Sequence, residues 1–375
     1  MDQLKEIIIN KIKKCGAITF AEFMEMALYY QNLGYYEKPN PFGVTGSYYT
    51  SVNASASFGR SVARSFKYFC EHLNIMPFIL EVGAGSGYLA KDVLDYFKKI
   101  DDKLYKNIKY YIAEKSNHLV NEQKKVLQDH VDKVEWKSLN DLEQFEGIIF
   151  SNELIDAFPV HRIIKIGHEI KELYVIYYNN KLEFYPDTCS TSELLEHIER
   201  FNIDLVDKQI IEINLNVKNW LRDISQILNR GVIVTIDYGD ISKNLYTPLR
   251  MDGTVTCYFK HTQNNNFFER IGYQDITAFV NFSSLIEYGK DFSIDTCAYL
   301  EQWQYLLLSD IMEEINQAES DLEKASIRSL ILPGVGFGSN FHVLIQVKNI
   351  VINNGFKYSK KPTDMFNELI NRYPM

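Results

Sequence analysis

Apolar residues recur along this chain at two spacings, and the places where the spacing switches mark the elements. Leu4, Ile7, Ile8 and Ile12 fall on one helical face, so the chain opens on an amphipathic helix. Thr19 and Glu22 have capping-box spacing, and Ile18 with Phe23 that of a hydrophobic staple. A second helix is therefore expected from about Phe20 to Tyr30, stopped by Asn32-Leu33-Gly34. Residues 34–51 are rich in Gly, Pro and Tyr and read as an ordered loop. A third helix is expected from about Ser55 to Leu73.

Phe78 to Val82 is a short apolar strand, and Gly83-Ala84-Gly85-Ser86-Gly87 a glycine turn. Leu89, Val93, Leu94 and Phe97 then repeat at helical spacing. Strand-like runs follow at 109–113, 147–151 and 231–237, with helical patterns between them. Strands alternating with helices predict an α/β fold around a parallel sheet. Residues 161–185 break that rhythm with three strand-like runs separated by Gly167-His168 and Asn179-Asn180 turns. They predict a small antiparallel β insertion, within 161–202, between core strands four and five. The last third reads as a helical stretch from about 298 to 330, then PGVGFGSN, then a closing strand near Phe341 to Val347. The expected division is an N-terminal helical cap and loop over 1–77 and an α/β domain over 78–375.

Apolar residues make up 46% of the chain and charged residues 24%, which excludes a mainly disordered protein. No apolar run approaches the ~20 residues a membrane-spanning helix needs, so no membrane association is expected. Forty Lys+Arg against 49 Asp+Glu give a net charge of −9, and an acidic chain repels phosphate backbones; nucleic acid is not the expected partner. Cys15, Cys70, Cys189, Cys257 and Cys297 are far apart and form no CxxC, which argues against a disulfide framework and against a metal site. Isolated thiols suit a reducing compartment. The N-terminus carries Asp2 and Glu6 and lacks both a signal-peptide core and transit-peptide character. The expected location is the cytoplasm.

A glycine turn between a strand and a helix lets a ligand approach the backbone. The dinucleotide fingerprint would place its third glycine at Tyr88, so that reading fails. The motif is instead ExGxGxG, built from Glu81, Gly83, Gly85 and Gly87. That form is typical of Rossmann-like methyltransferases that use S-adenosyl-L-methionine (SAM); a plain tight turn is the alternative. The second strand ends at Glu114, an acid that can accept both ribose hydroxyls of an adenosyl group, or simply stand in solvent. After strand four comes Ser151-Asn152-Glu153-Leu154-Ile155-Asp156-Ala157-Phe158-Pro159, where ligands of such sheets bind beyond the strand ends. Asp156 there faces a substrate or caps the next turn. Asp237, closing strand five, poses the same choice. His161 could shuttle a proton or be structural, and Tyr35, Tyr36, Tyr48 and Tyr49 could stack on a substrate or pack their loop on the core.

Together the motifs resemble the MidA-type SAM-dependent methyltransferases, whose mitochondrial members methylate an arginine of a respiratory complex I subunit. The resemblance covers nearly the whole chain, through ITFAEFMEMALYYQNLGYY (18–36), LEVGAGSGYLAKDVL (80–94), SNELIDAFPVHR (151–162), GVIVTIDYG (231–239), GTVTCYFKH (253–261), DITAFVNFSSL (275–285) and GFGSNFHVLIQVK (336–348). It implies a Rossmann-like sheet of the class I SAM-dependent methyltransferase type with a helical N-terminal cap. It implies SAM as cofactor, with Asn152 joining the glycine turn and Glu114 in holding it, and a protein substrate, a respiratory-complex subunit among the candidates. An arginine acceptor is charged and pairs bidentately with carboxylates. Glu153 and Asp156 have that chemistry, with Asp275 in support. One region departs: after the GYY element the family has three acids where this chain has Ser47, Asn53 and Arg60. Three classes stay open: a protein methyltransferase, a small-molecule or RNA methyltransferase on the same fold, and a non-catalytic SAM-binding assembly factor.

Overall fold

The computed structural model describes residues 3–38, 55–332, 340–353 and 355–359. Its centre is an eight-stranded sheet, with seven strands on its main path, β1 (Phe78–Val82), β2 (Lys109–Ala113), β3 (Val134–Trp136), β4 (Phe145–Asn152), β5 (Leu228–Asp240), β6 (Asp295–Glu301) and β7 (Phe341–Lys348), and the short strand Val280–Asn281 paired to the end of β5. Spatial order is β6-β7-β5-β4-β1-β2-β3. β1 to β5 run parallel, and β7 lies antiparallel between β5 and β6. The parallel strands are short apolar runs because both faces of the sheet are covered.

Alternation along β1 shows how the faces divide. Ile79 joins a core with helices Ala56–His72 and Tyr88–Ile100 and the C-terminal helices. Leu80 and Val82 join the opposite core, with helices Asn216–Ile227 and Phe282–Asp291. The expected helix over 298–330 is instead β6 followed by helices Gln302–Leu308, Ile311–Gln317 and Asp321–Ile331. β6 carries a register shift between Thr296 and Ala298, which interrupts the period-two signal a strand leaves in sequence.

The region after β4 forms a second, antiparallel sheet of His161–Ile166, Glu169–Tyr178 and Lys181–Asp187. Its turns fall where expected: Gly167 has φ 60°, and Asn179 and Asn180 have φ 47° and 60°, the pairing of left-handed residues a tight hairpin needs. The sheet runs beyond residue 202, since Ile210–Ile213 pairs with His161–Ile164. It also takes in Ile18–Thr19, which pairs with Tyr174–Val175. Thr19 caps helix Phe20–Tyr29 by accepting the Glu22 N–H. Leu4, Ile8 and Ile12 of helix Gln3–Cys15 pack with that helix in a third core. A three-stranded sheet of Thr256–Phe259, Thr262–Asn264 and Asp275–Thr277 closes over it, an element no sequence period announced.

Candidate active site

The parallel strands deliver the glycine turn, Glu114 and the loop after β4 to one edge of the sheet, where a cleft opens. Gly83 has φ 71°, a backbone favouring glycine, and a Cβ there would stand 2.7 Å from Leu154 Cδ1. Glycine there avoids the strain of that backbone and lets the turn rest against Leu154 without displacing its side chain. Gly83 and Gly85 both line the cleft. Gly87 is the N-cap of helix Tyr88–Ile100 and sits against Gln123 rather than in the cleft lining. Glu81 does not line it either. It shares the Ile79 side of β1, is buried, and accepts the Tyr110 hydroxyl at 2.6 Å. Burial pushes its carboxyl up to about 7.

Glu114 lines the cleft. Its Oε1 accepts the Ser116 N–H at 3.0 Å and its Oε2 the Gln123 side-chain N–H at 3.3 Å. Burial raises its pKa, and those hydrogen bonds oppose the rise.

In the loop after β4, Glu153 takes φ 51°, unusual for a residue with a side chain, and its N–H donates to Ile236 of β5 at 2.9 Å. That backbone turn points the loop across the strand ends, and Glu153 lines the cleft. Asn152 Nδ2 donates to Glu153 at 3.2 Å, while Asn152 Oδ1 is buried without a hydrogen-bond partner among the described residues. Asp156 is 1% exposed and does not line the cleft. Asp237 is a brace: it accepts the N–H groups of Ile155 and Asp156. Burial raises both carboxyls, and Asp237 rises further because Asp156 and Glu153 lie near it.

Asp275 is fully buried behind the cleft wall and receives the Tyr36 hydroxyl at 3.0 and 3.1 Å. The Tyr36 ring stacks on Tyr29, centroids 5.4 Å apart, and the Tyr29 hydroxyl donates to Ala157 at 2.9 Å. Both rings line the cleft. Tyr36 thus packs its segment on the core, and its ring also forms part of the cleft wall. Tyr29, Lys115 and Leu154 are lining residues that sequence reasoning did not single out; Tyr29 lies in the last turn of an expected helix, inside the stretch 18–36, where only Tyr35 and Tyr36 were given a role.

Beyond Glu114 the cleft widens into a lobe of about 610 Å³ bounded by Glu25, Phe158, Trp220 and Asp223. His161 also borders it, but its Nδ1 is bonded to buried Glu172 at 2.7 Å. Glu172 takes the Ser190 N–H as well and sits below the usual carboxylate range despite burial. Arg60 lies outside the lining and pairs with Glu314 and Ser57. Ser47, Asn53, Tyr48 and Tyr49 lie outside the described residues. Among the described residues, no group of three or more His, Cys, Asp or Glu could hold a metal ion, and no helix is long and apolar enough to cross a membrane.

Residues 62–299 match the family model described as "Putative S-adenosyl-L-methionine-dependent methyltransferase". The chain belongs to that family. This methyltransferase is 26% identical to the mitochondrial protein arginine methyltransferase NDUFAF7 homolog of Caenorhabditis elegans, over 77% of the chain and 72% of the relative. It is 26% identical to the mitochondrial protein arginine methyltransferase NDUFAF7 of Bos taurus, over 87% of the chain and 78% of the relative. The fold matches the crystal structure of a "likely methyl transferase from Burkholderia thailandensis bound to S-adenosyl-homocysteine", with TM-score 0.84 and 24% identity, covering 94% of this chain and 93% of that one. The cofactor of the methyltransferase is SAM. The site residues suit it: glycines keep the turn clear and Glu114 offers acceptors to a ribose diol, while Asn152, outside the cleft lining but next in the chain to Glu153, carries a buried acceptor with no partner among the described residues.

Proposed function

We propose that the methyltransferase modifies an arginine side chain of a protein. The observation that carries this reading is the charge of the cleft: Glu25, Glu37, Glu114, Glu153 and Asp223 line it, and Lys115 is the one Lys or Arg among the described lining residues. Such a wall attracts a cationic acceptor and repels a phosphate backbone. The names of the relatives point to the same substrate.

Gly83 and Gly85 would admit the methionine portion of SAM, Glu114 would accept the ribose hydroxyls, and Asn152 Oδ1 the amino group. Bound SAM supplies a methyl group already activated by its sulfonium. The protein's task is then alignment of the acceptor nitrogen with that methyl group. Glu153 holds the guanidinium from the cleft wall and takes the proton the nitrogen sheds. Asp156 and Asp275 act from behind the wall. Asp275 fixes Tyr36, and Asp156 belongs to the segment that supplies the Ala157 carbonyl to Tyr29. The expected pair of contacting acids, Glu153 and Asp156 with Asp275 in support, thus becomes one acid in contact and two in support.

A respiratory-complex subunit stays the substrate candidate on the family resemblance. Cytoplasmic placement is part of the same proposal; the five cysteines, all free, suit a reducing compartment. Incubation with methyl-labelled SAM and cell lysate, followed by mass spectrometry of the labelled protein, tests the reading. Label on arginine is the expected result; label confined to RNA, a small molecule or another side chain would overturn it.

A further inference from the structure

The Gln123 side chain is fully buried and makes three hydrogen bonds. Its Nε2 donates to the Gly85 carbonyl at 2.7 Å and to Glu114 Oε2 at 3.3 Å. Its Oε1 accepts the Trp136 indole N–H at 2.8 Å. An indole N–H can only donate, so Trp136 fixes which end of the amide is oxygen. The amide's two N–H groups must then face Gly85 and Glu114. One side chain thereby ties the turn after β1, the acid after β2 and the end of β3.

The space for this side chain is also built. A Cβ on Gly87 would lie 3.2 Å from Gln123 Cγ and 3.3 Å from its Cα. Gly87 has φ 83°, so it turns the backbone and leaves room for the helix Asn117–Val126 that carries Gln123. The third glycine of the motif serves this packing, while Gly83 and Gly85 face the cleft.

We propose that Gln123 is a positioning residue for the cofactor. It holds the Glu114 carboxylate and the Gly85 carbonyl at a fixed separation before SAM arrives, and Trp136 sets its orientation. Binding then orders less of the protein, which is the general route by which preorganisation raises affinity. The proposal rests on the reading that Glu114 receives the ribose.

The test is a double-mutant cycle on SAM affinity, by calorimetry, with thermal melts of the unliganded proteins alongside. Gln123→Met keeps the length and removes the amide. It should weaken SAM about tenfold, a charged-group hydrogen bond's worth, and raise KM for SAM more than it lowers kcat. In a Glu114→Ala background the same change should have little further effect, because the group it positions is gone. Trp136→Phe removes only the donor that orients the amide. It should weaken SAM in the same direction and lose that effect with Glu114→Ala; it decides the matter alone if Gln123→Met does not fold. Wild-type affinity in the folded variants, or losses that multiply with Glu114→Ala, would overturn the positioning role. If Glu114→Ala alone leaves SAM affinity unchanged, the ribose reading fails, and the proposal fails with it for that separate reason.

Discussion

Asp237 Oδ2 accepts the Ile155 N–H at 2.9 Å, so the end of β5 suspends the loop that follows β4. The same oxygen takes the Asp156 N–H at 3.3 Å, and Oδ1 takes the Tyr238 N–H at 2.9 Å. Asp237, Ile155 and Asp156 are buried, and Tyr238 is partly so. The left-handed turn at Glu153 is set just upstream of those anchored amides.

Asp237→Ala should therefore lower stability by about 2–4 kcal/mol, because buried amides lose their acceptor. Turnover per folded molecule should fall too, since Glu153 loses its anchor. Urea denaturation with parallel rate measurements checks this. A change within about 0.5 kcal/mol, the range of an ordinary surface substitution, would remove Asp237 from its bracing role.

Gly85→Val should abolish SAM binding. Gly85 lines the cleft with φ 52°, so a branched side chain strains the turn and fills the approach of the ligand. The sheet should persist, because the change lies at a strand end. Calorimetry and circular dichroism together decide it: a folded variant that binds SAM normally would contradict the site.

Glu153→Gln and Asp156→Asn separate contact from support. Both amides keep shape and remove charge. Glu153→Gln should reduce turnover about a hundredfold by disturbing acceptor alignment, with SAM affinity nearly intact. Asp156→Asn, behind the wall, should change stability and leave most of the activity per folded molecule. Full activity in Glu153→Gln would discard the carboxylate contact and favour a neutral acceptor.

Glu81 gives stability a pH dependence of definite sign. Its folded-state pKa is about 7 against an ordinary 4.5. Between those values the folded protein keeps a proton that the unfolded chain has released, so stability falls as pH rises through that window. The full shift corresponds to at most about 3 kcal/mol. Glu81→Gln still offers an acceptor to Tyr110 but cannot ionise, and should flatten the fall between pH 5 and pH 8. Parallel profiles for wild type and variant would mean that other groups carry it.

Local signals were strong where one segment suffices. The Thr19 cap, the β1–glycine–helix unit, Glu114 and the Asn179-Asn180 hairpin could all be read from neighbouring residues. What remained hidden depends on meetings between distant segments. Nothing near Ile18–Thr19 announces its pairing with Tyr174–Val175. Nothing near Asp275 announces Tyr36 as its partner, 239 positions away. Glu81 stands inside a cofactor motif, yet strand alternation turns it toward Tyr110. Gln123 looked like any polar helix residue until the fold surrounded it.

The position of β7 governs how this protein can be made. Among the described residues β6 pairs with β7 alone, which arrives about 40 residues later in the chain. A ribosome adds roughly 5–20 residues per second, so for several seconds the emerging chain carries a completed β5 edge and a β6 with no neighbour. Unpaired edges of that kind recruit other chains. Newly made copies should thus pass through an interval in which shielding by a chaperone decides between productive insertion of Phe341–Lys348 and loss to aggregates.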